Sequence, residues 1–223
     1  MRYEILYQPS YAVARVMLEA GESVRAESGA MMSMTPNVVL DSKMKGGLGG
    51  AFTRMLGGES AFQSTFTAQG GPGEVVLAPS VPGDILAINL QNTSMLVTSG
   101  CFLACESDLN VQAQANMKAF FSGEGLFMLR ISGDGPLLLN SFGAIHAIQL
   151  PPGQTYIVDT GHLVAFSDGM PFNLRRATKG IMGMVTSGEG IVAELTGPGL
   201  IYTQTRTPGE FARWLGSLMP GRG

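Results

Sequence analysis

The sequence predicts an all-β protein: three tandem repeats of a small double-stranded β-helix or β-sandwich unit around a pseudo-threefold axis, followed by a short C-terminal helix. Two observations carry this prediction. The 223 residues include 31 Gly and 12 Pro without a collagen-like period, which is typical of turns between many short strands. The chain also matches itself three times at one constant spacing, which indicates a repeat architecture.

The repeat is clearest in three segments that place a Gly-Glu pair before an alternating strand. They begin at Gly58, Gly123 and Gly188, so consecutive copies lie 65 residues apart. A Gly-x-Gly motif and a second apolar stretch follow in each copy, at Gly71-Pro72-Gly73, Gly133-Asp134-Gly135 and Gly197-Pro198-Gly199. Because glycine adopts turn conformations that other residues avoid, each copy is predicted to form a β-hairpin.

Closing three such units around one axis would bury the strand edges that each unit exposes alone, since unpaired edges are unfavourable. The predicted boundaries place repeat 1 at residues 1–80, repeat 2 at 81–146 and repeat 3 at 147–206. Residues 207–223 form the helix, and the whole chain is expected to be one compact unit.

The helix prediction rests on a capping motif followed by an apolar stripe. Thr207 suits the N-cap, and Pro208 suits the first helical position. Apolar residues then recur at the spacing of one helix face: Phe211, Trp214, Leu215 and Leu218. We expect this face to dock on the β body, and the alternative is a helix that binds a partner.

Composition limits the class of partner and compartment. A net charge of -3 and an isoelectric point near 5.4 argue against nucleic acid, which requires a basic surface. Cys101 and Cys105 lie in an apolar stretch and are predicted to be buried thiols on one face of a strand. The first residues lack the apolar core of a signal peptide, and no run of 18 apolar residues occurs. We therefore expect a soluble cytoplasmic protein.

Catalytic motifs are not evident. His146 and His162 are the only histidines and show no metal-ligand spacing with other residues. Ser28 and Thr160 lie beside acidic residues in equivalent turns, where a hydroxyl bonds the turn backbone. The glycines from Gly46 to Gly50 lack the Gly-Lys-Ser/Thr ending of a phosphate-binding loop. The chain is therefore expected to need no cofactor and to be no enzyme.

One constellation stands out: basic and apolar residues gather in the variable loops that precede the hairpins. Seven of the chain's 14 Lys and Arg residues lie there. If the copies surround an axis, these loops meet at one end, where basic, Met and Phe side chains suit an acidic protein or an anionic membrane. The alternative is that the apolar groups pack against the β body or another subunit. The predicted contact residues are Lys43, Lys45, Phe52, Arg54, Lys118, Phe120, Phe121, Arg175, Arg176 and Lys179.

Three parts of the chain together resemble the altered-inheritance-of-mitochondria (mitochondrial biogenesis) family. They are Glu27-Ser28-Gly29-Ala30-Met31, the loop from Lys45-Gly46-Gly47-Leu48 to Leu56-Gly57-Gly58-Glu59-Ser60, and Thr203-Gln204-Thr205-Arg206 with Trp214-Leu215. The resemblance implies a bacterial member with a fold similar to the trp RNA-binding attenuation protein, and it implies no catalytic residue.

The resulting hypothesis is a non-catalytic binding or scaffold protein, expected to be a homo-oligomer, with the loop residues as its contact surface. The first alternative is a small-molecule or metal-dependent enzyme that uses the barrel interior. A weaker alternative is RNA binding, by analogy of fold alone.

Overall fold

The structure, a computed structural model, describes residues 1–41, 63–115, 127–177 and 190–219. Strands dominate these residues, and one α-helix, α1 (Pro208–Leu218), lies at their C-terminal end. The all-β class and the terminal helix are therefore confirmed. Within the described ranges, no helix combines the length and the apolar character needed to cross a bilayer.

The strands fall into three segments. The first segment contains β1 (Arg2–Leu6), β2 (Val13–Leu18), β3 (Ser23–Glu27), β4 (Met31–Met34), β5 (Val38–Asp41), β6 (Gln63–Ala68) and β7 (Gly73–Leu77). The second contains β8 (Ile85–Thr98), β9 (Phe102–Glu106), β10 (Asn110–Ala115) and β11 (Phe127–Asn140). The third contains β12 (Ile145–Leu150), β13 (Thr155–Asp159), β14 (Leu163–Ser167), β15 (Phe172–Arg176), β16 (Ile191–Thr196) and β17 (Gly199–Gln204).

The same antiparallel pairings occur in each segment. In the first, β7 lies between β2 and β4, and β6 lies between β3 and β5. In the third, β17 lies between β12 and β14, and β16 lies between β13 and β15. In the second segment, the long strands β8 and β11 run through both sets of pairings, with β9 and β10 alongside β11.

The predicted β-hairpins around the Gly-x-Gly motifs are wrong, although the strands themselves exist. The two strands that flank each motif do not pair with each other, because β6 and β7 belong to different sets of partners. In the second segment they form one continuous strand, in which Gly133 and Gly135 have φ angles of 133° and 138°. This backbone region is nearly restricted to glycine, and in β11 it lets the strand continue without reversing. In the first and third segments, the chain passes at the motif from one sheet into another.

Strands also pair between segments. β3 of the first segment pairs with β9 of the second, and β8 of the second pairs with β14 of the third. These junctions build one long sheet in the order β12-β17-β14-β8-β11-β9-β3-β6-β5, with β10 beside β11. Two smaller sheets, β1-β2-β7-β4 and β13-β16-β15, end at β4 and β13. The described strands therefore do not close into a single barrel.

The core follows this connectivity. Phe66, Phe102 and Phe166 are fully buried, one in each of three apolar clusters. The cluster around Phe66 also contains Leu103 from the second segment, and the cluster around Phe102 contains Val164 from the third. Each core is therefore completed by the neighbouring segment.

Both cysteines are buried free thiols, as predicted. Their predicted placement on one strand is wrong, because Cys101 ends the short 3₁₀ turn Ser99–Cys101, whereas Cys105 lies on β9.

Candidate functional site

The ten residues predicted as a contact surface are only partly described. Lys43, Lys45, Phe52, Arg54, Lys118, Phe120, Phe121 and Lys179 lie outside the described residues. Arg175 and Arg176 are exposed at the end of β15. The Arg175 Nε donates to the Glu194 Oε2 at 2.8 Å, so a carboxylate already balances this guanidinium. An exposed pair of this kind contributes little to stability.

The strand ends that flank the three variable loops lie at one end of the molecule. Gln63, at the start of β6, pairs with Glu27, and the adjacent Ala26 pairs with Ala104 near the start of β9. The turn before β9 follows Thr98, which pairs with Met128 near the start of β11. The start of β6 is thereby linked to the start of β11 through the end of β3 and the turn before β9.

The third loop joins this end through two hydroxyl groups. Thr98 Oγ1 donates to the carbonyl oxygen of Leu163 at 2.7 Å, directly after the 3₁₀ turn Thr160–His162. Thr160 Oγ1 in that turn donates to the carbonyl oxygen of Ile191, the first residue of β16, at 2.9 Å. We call this region, defined by the starts of β6, β11 and β16 and the two 3₁₀ turns, the loop end.

Helix α1 begins at the loop end. Thr207 caps it as predicted, since its side chain accepts a hydrogen bond from the Glu210 backbone N–H at 3.1 Å. The preceding Gln204 fixes the approach: its Nε2 donates to the Gly161 carbonyl at 2.9 Å, and its Oε1 accepts from the Phe142 N–H at 2.8 Å. Because Gln204 is buried, these bonds hold the chain against the turn before the helix starts.

The apolar face of α1 is exposed, which corrects the expectation that it docks on the β body. No residue of the helix is buried, and exposures along the stripe range from 41% to 63%. The ring of Phe211 meets that of Phe142 edge-on, with centroids 5.4 Å apart, and contacts Trp214 at 5.7 Å. We call the exposed set Phe211, Trp214, Leu215, Leu218 and Met219 the helix face.

The buried carboxyl and thiol groups near the loop end have raised pKa values, which does not favour nucleophilic chemistry. Burial raises the pKa of Glu27 to about 7. Burial, with a contribution from Glu27, raises the pKa of Cys101 to about 12, and burial likewise raises the pKa of Cys105 to about 12. A thiol with such a pKa is protonated at neutral pH and is a poor nucleophile.

Neither histidine lies in a metal-binding arrangement of the described residues. His146 is exposed on β12, and His162 Nδ1 lies 2.6 Å from the Gln204 carbonyl oxygen, to which it must donate. Across the described ranges, no group of three His, Cys, Asp or Glu side chains is placed to hold a metal ion.

A shallow pocket of about 410 Å³ lies between β8, β14 and β17 and includes Ser94, Asp168 and Tyr202. Burial opposes ionisation of Asp168, but hydrogen bonds from Ser94 and Arg130, each at 2.6 Å, outweigh it and lower the pKa of Asp168. The Asp168 carboxylate thus already accepts hydrogen bonds from Ser94 and Arg130.

Two surfaces escaped the sequence reasoning. The helix face was identified as a stripe but was expected to be covered. The exposed strand β4 was not identified at all, although Met31-Met32-Ser33-Met34 replaces the Phe102-Leu103-Ala104-Cys105 and Leu163-Val164-Ala165-Phe166 of the other segments. Comparing those three stretches would have singled it out.

Comparisons with known proteins agree on one family. The model of the family described as Mitochondrial biogenesis AIM24 matches residues 3–206. An uncharacterized protein of Streptococcus pyogenes serotype M6, M6_Spy0233, is 36% identical over 230 residues, covering 99% of this chain and 92% of that protein. The crystal structure of protein SPYM3_0169 from Streptococcus pyogenes superposes with a TM-score of 0.87 at 34% identity, covering 98% of this chain and 99% of that one. The chain therefore belongs to the mitochondrial biogenesis AIM24 family.

Proposed function

We propose that the protein is a non-catalytic binding or scaffold protein that attaches to an anionic membrane surface through its loop end. The observation that carries this proposal is the helix face, a contiguous set of exposed aromatic and aliphatic side chains on a terminal helix. Soluble proteins rarely expose such a patch unless it contacts a partner or a membrane.

The composition of α1 favours a lipid surface. Phe, Trp and Leu side chains on one face of a helix enter the boundary between headgroups and acyl chains, while basic residues remain at the surface. Arg206, just before the helix, and Arg213, on the side of α1 opposite the helix face, are both exposed. The Lys and Arg residues of the variable loops would add attraction to anionic lipids, because their flanking strands lie at the same end.

We also infer that the three segments are copies of one unit placed around a pseudo-threefold axis. The recurring pairings within the segments support this arrangement, and so does a contact among equivalent positions before β2, β8 and β12. The Ala12 N–H donates to the Gly83 carbonyl at 3.0 Å, and the Asp84 N–H donates to the Gly143 carbonyl at 3.1 Å. Such an arrangement would bring the three variable loops together as one basic and apolar rim.

Trp214 gives a direct test because it is the only tryptophan in the chain. With vesicles of phosphatidylcholine and phosphatidylglycerol, we expect its emission to shift to the blue, its quenching by iodide to fall, and the protein to sediment with the vesicles. Pure phosphatidylcholine vesicles should have a much weaker effect, because the basic residues then lack a counter-charge.

Two variants distinguish binding through the helix face from non-specific binding of vesicles by other exposed apolar side chains. The double variant Leu215→Ser with Leu218→Ser keeps the fluorophore and should bind the anionic vesicles at least tenfold more weakly, since about two large apolar side chains no longer enter the lipid. Val39→Ser removes an exposed apolar side chain from β5 and should bind like the wild type. An unchanged Trp214 spectrum and no sedimentation with any vesicle would exclude the membrane proposal.

The loops are tested separately with Lys45→Glu, Lys118→Glu and Lys179→Glu combined in one variant. If the loops share the contact surface, this variant loses the preference for anionic vesicles while the helix face stays intact. Binding equal to that of the wild type would remove the loops from the surface.

A further inference from the structure

In the described part of the chain, β4 is the edge strand of one sheet and β13 is the edge strand of another. The outer edge of each strand has no strand partner there. Both expose apolar side chains on these edges. Met32 on β4 is 62% exposed, and Ile157 on β13 is 51% exposed. A free strand edge offers unpaired N–H and C=O groups, which makes it a template for another strand.

The counterparts of β4 in the other segments are β9 and β14. Each of these three strands pairs with the last strand of its own segment, and in each the register shifts by one residue. The shift lies between Met31 and Ser33 in β4, between Phe102 and Ala104 in β9, and between Leu163 and Ala165 in β14. The register places Met32 in the position of Leu103 and Val164, both of which are 0% exposed. The three strands thus have the same place in their segments, but β9 and β14 are buried whereas β4 is exposed.

A neighbouring segment causes this difference. β9 is covered by β3, in the register Arg25–Cys105 and Ala26–Ala104. β14 is covered by β8, in the equivalent register Leu96–Phe166 and Val97–Ala165.

Both counterparts of β4 are therefore covered in the same way. In each case the covering strand is β3 or the strand equivalent to β3 in its own segment. The equivalent strand in the third segment is β13, because it pairs with β16 as β3 pairs with β6. Its Tyr156 and Ile157 are exposed, whereas Met95 and Leu96 at the equivalent positions of β8 are buried.

We propose that β13 of one copy pairs antiparallel with β4 of a second copy of this chain. Extending the register of the two internal junctions matches Tyr156 with Thr35, Ile157 with Met34, and Val158 with Ser33. A threefold arrangement would repeat this junction between β13 and β4 of the same chain, but the two strands belong to separate sheets and do not cover each other, since Ile157 is 51% and Met34 is 38% exposed. The third junction therefore stays open within the chain, and a second copy is its occupant. Two copies related by a twofold axis would satisfy both edges of each chain and form a closed dimer.

A cysteine pair tests the register. In Ile157→Cys with Met34→Cys, mild oxidation should yield a covalent dimer on non-reducing gels, since directly opposite residues in antiparallel strands are near the disulfide distance. The native Cys101 and Cys105 are buried and should not compete. Ile157→Cys with Leu40→Cys is the matched control, because Leu40 is an exposed apolar residue on β5, and it should remain a monomer on the same gel.

The non-covalent assembly is tested by sedimentation velocity. The wild type should sediment as a dimer, and Met34→Lys with Ile157→Lys should sediment as a monomer with an unchanged circular dichroism spectrum, since lysine on a strand edge opposes pairing. Leu40→Lys should remain a dimer. A monomeric wild type, or a disulfide that forms within one chain in the cysteine pair, would overturn the proposal.

Discussion

Glu27 ends β3 at the loop end, where burial raises the pKa of its carboxyl group from 4.5 to about 7. The folded chain therefore holds this proton more tightly than the unfolded chain. The resulting linkage has a definite sign: the carboxyl group costs no stability below pH 4.5, and its cost grows until the pH passes about 7.

We predict that Glu27→Gln stabilises the protein at pH 8 by about 1–2 kcal/mol relative to the wild type and by much less at about pH 5. The figure is below the full value of the shift because the side chain is partly solvated. Urea unfolding at both pH values measures the difference. Glu210→Gln on the exposed helix is the control for the change in net charge, and a gain from Glu27→Gln that is equal at both pH values would contradict the mechanism.

At the scale of elements, the contacts between segments depend on close backbone approach. Gly83 and Gly143 form a parallel bridge, in which the Gly143 N–H donates to the Pro82 carbonyl at 3.0 Å. A Cβ atom on Gly83 would overlap the carbonyl oxygen of Ser141. The obstacle is backbone, so it cannot move aside as a flexible side chain would.

Gly83→Ala is therefore expected to destabilise the protein by about 1–3 kcal/mol, the usual cost of forcing atoms into a packed site. Gly71→Ala is the matched control, because nothing lies within 4 Å of its Cβ position. Thermal unfolding of the two variants should differ by several degrees. Equal melting temperatures would show that the bridge yields without cost.

At the scale of the whole molecule, the segments share apolar clusters and one long sheet, so they are expected to unfold together. Replacing Phe66, Phe102 or Phe166 by Ala should each cost about 3–5 kcal/mol, through lost burial and a cavity. Phe172→Ala, at a more exposed aromatic position, should cost much less. Each variant should keep one cooperative transition in chemical denaturation, and a separate transition for one segment would contradict this coupling.

The strands and the terminal helix were accessible to sequence reasoning because their signals are local. Residues of alternating burial mark β2 and β6, and the Thr207-Pro208 cap marks the start of α1. The β-hairpins predicted from the Gly-x-Gly motifs were wrong because glycine occurs both in turns that reverse the chain and in bends within a strand. Only the partners of the flanking strands distinguish the two cases. The exposure of the helix face was equally hidden, since an apolar stripe looks the same whether or not another surface covers it.

By itself, the sequence determined an all-β chain with an internal match at a spacing of 65 residues and a capped C-terminal helix. These features depend on neighbours along the chain, whose side chains set local backbone preferences. The tertiary structure alone decided which strands pair and which edges stay open, because those partners lie far apart in sequence. β9 and β14 are buried and β4 is exposed for this reason: a strand from a neighbouring segment covers only the first two.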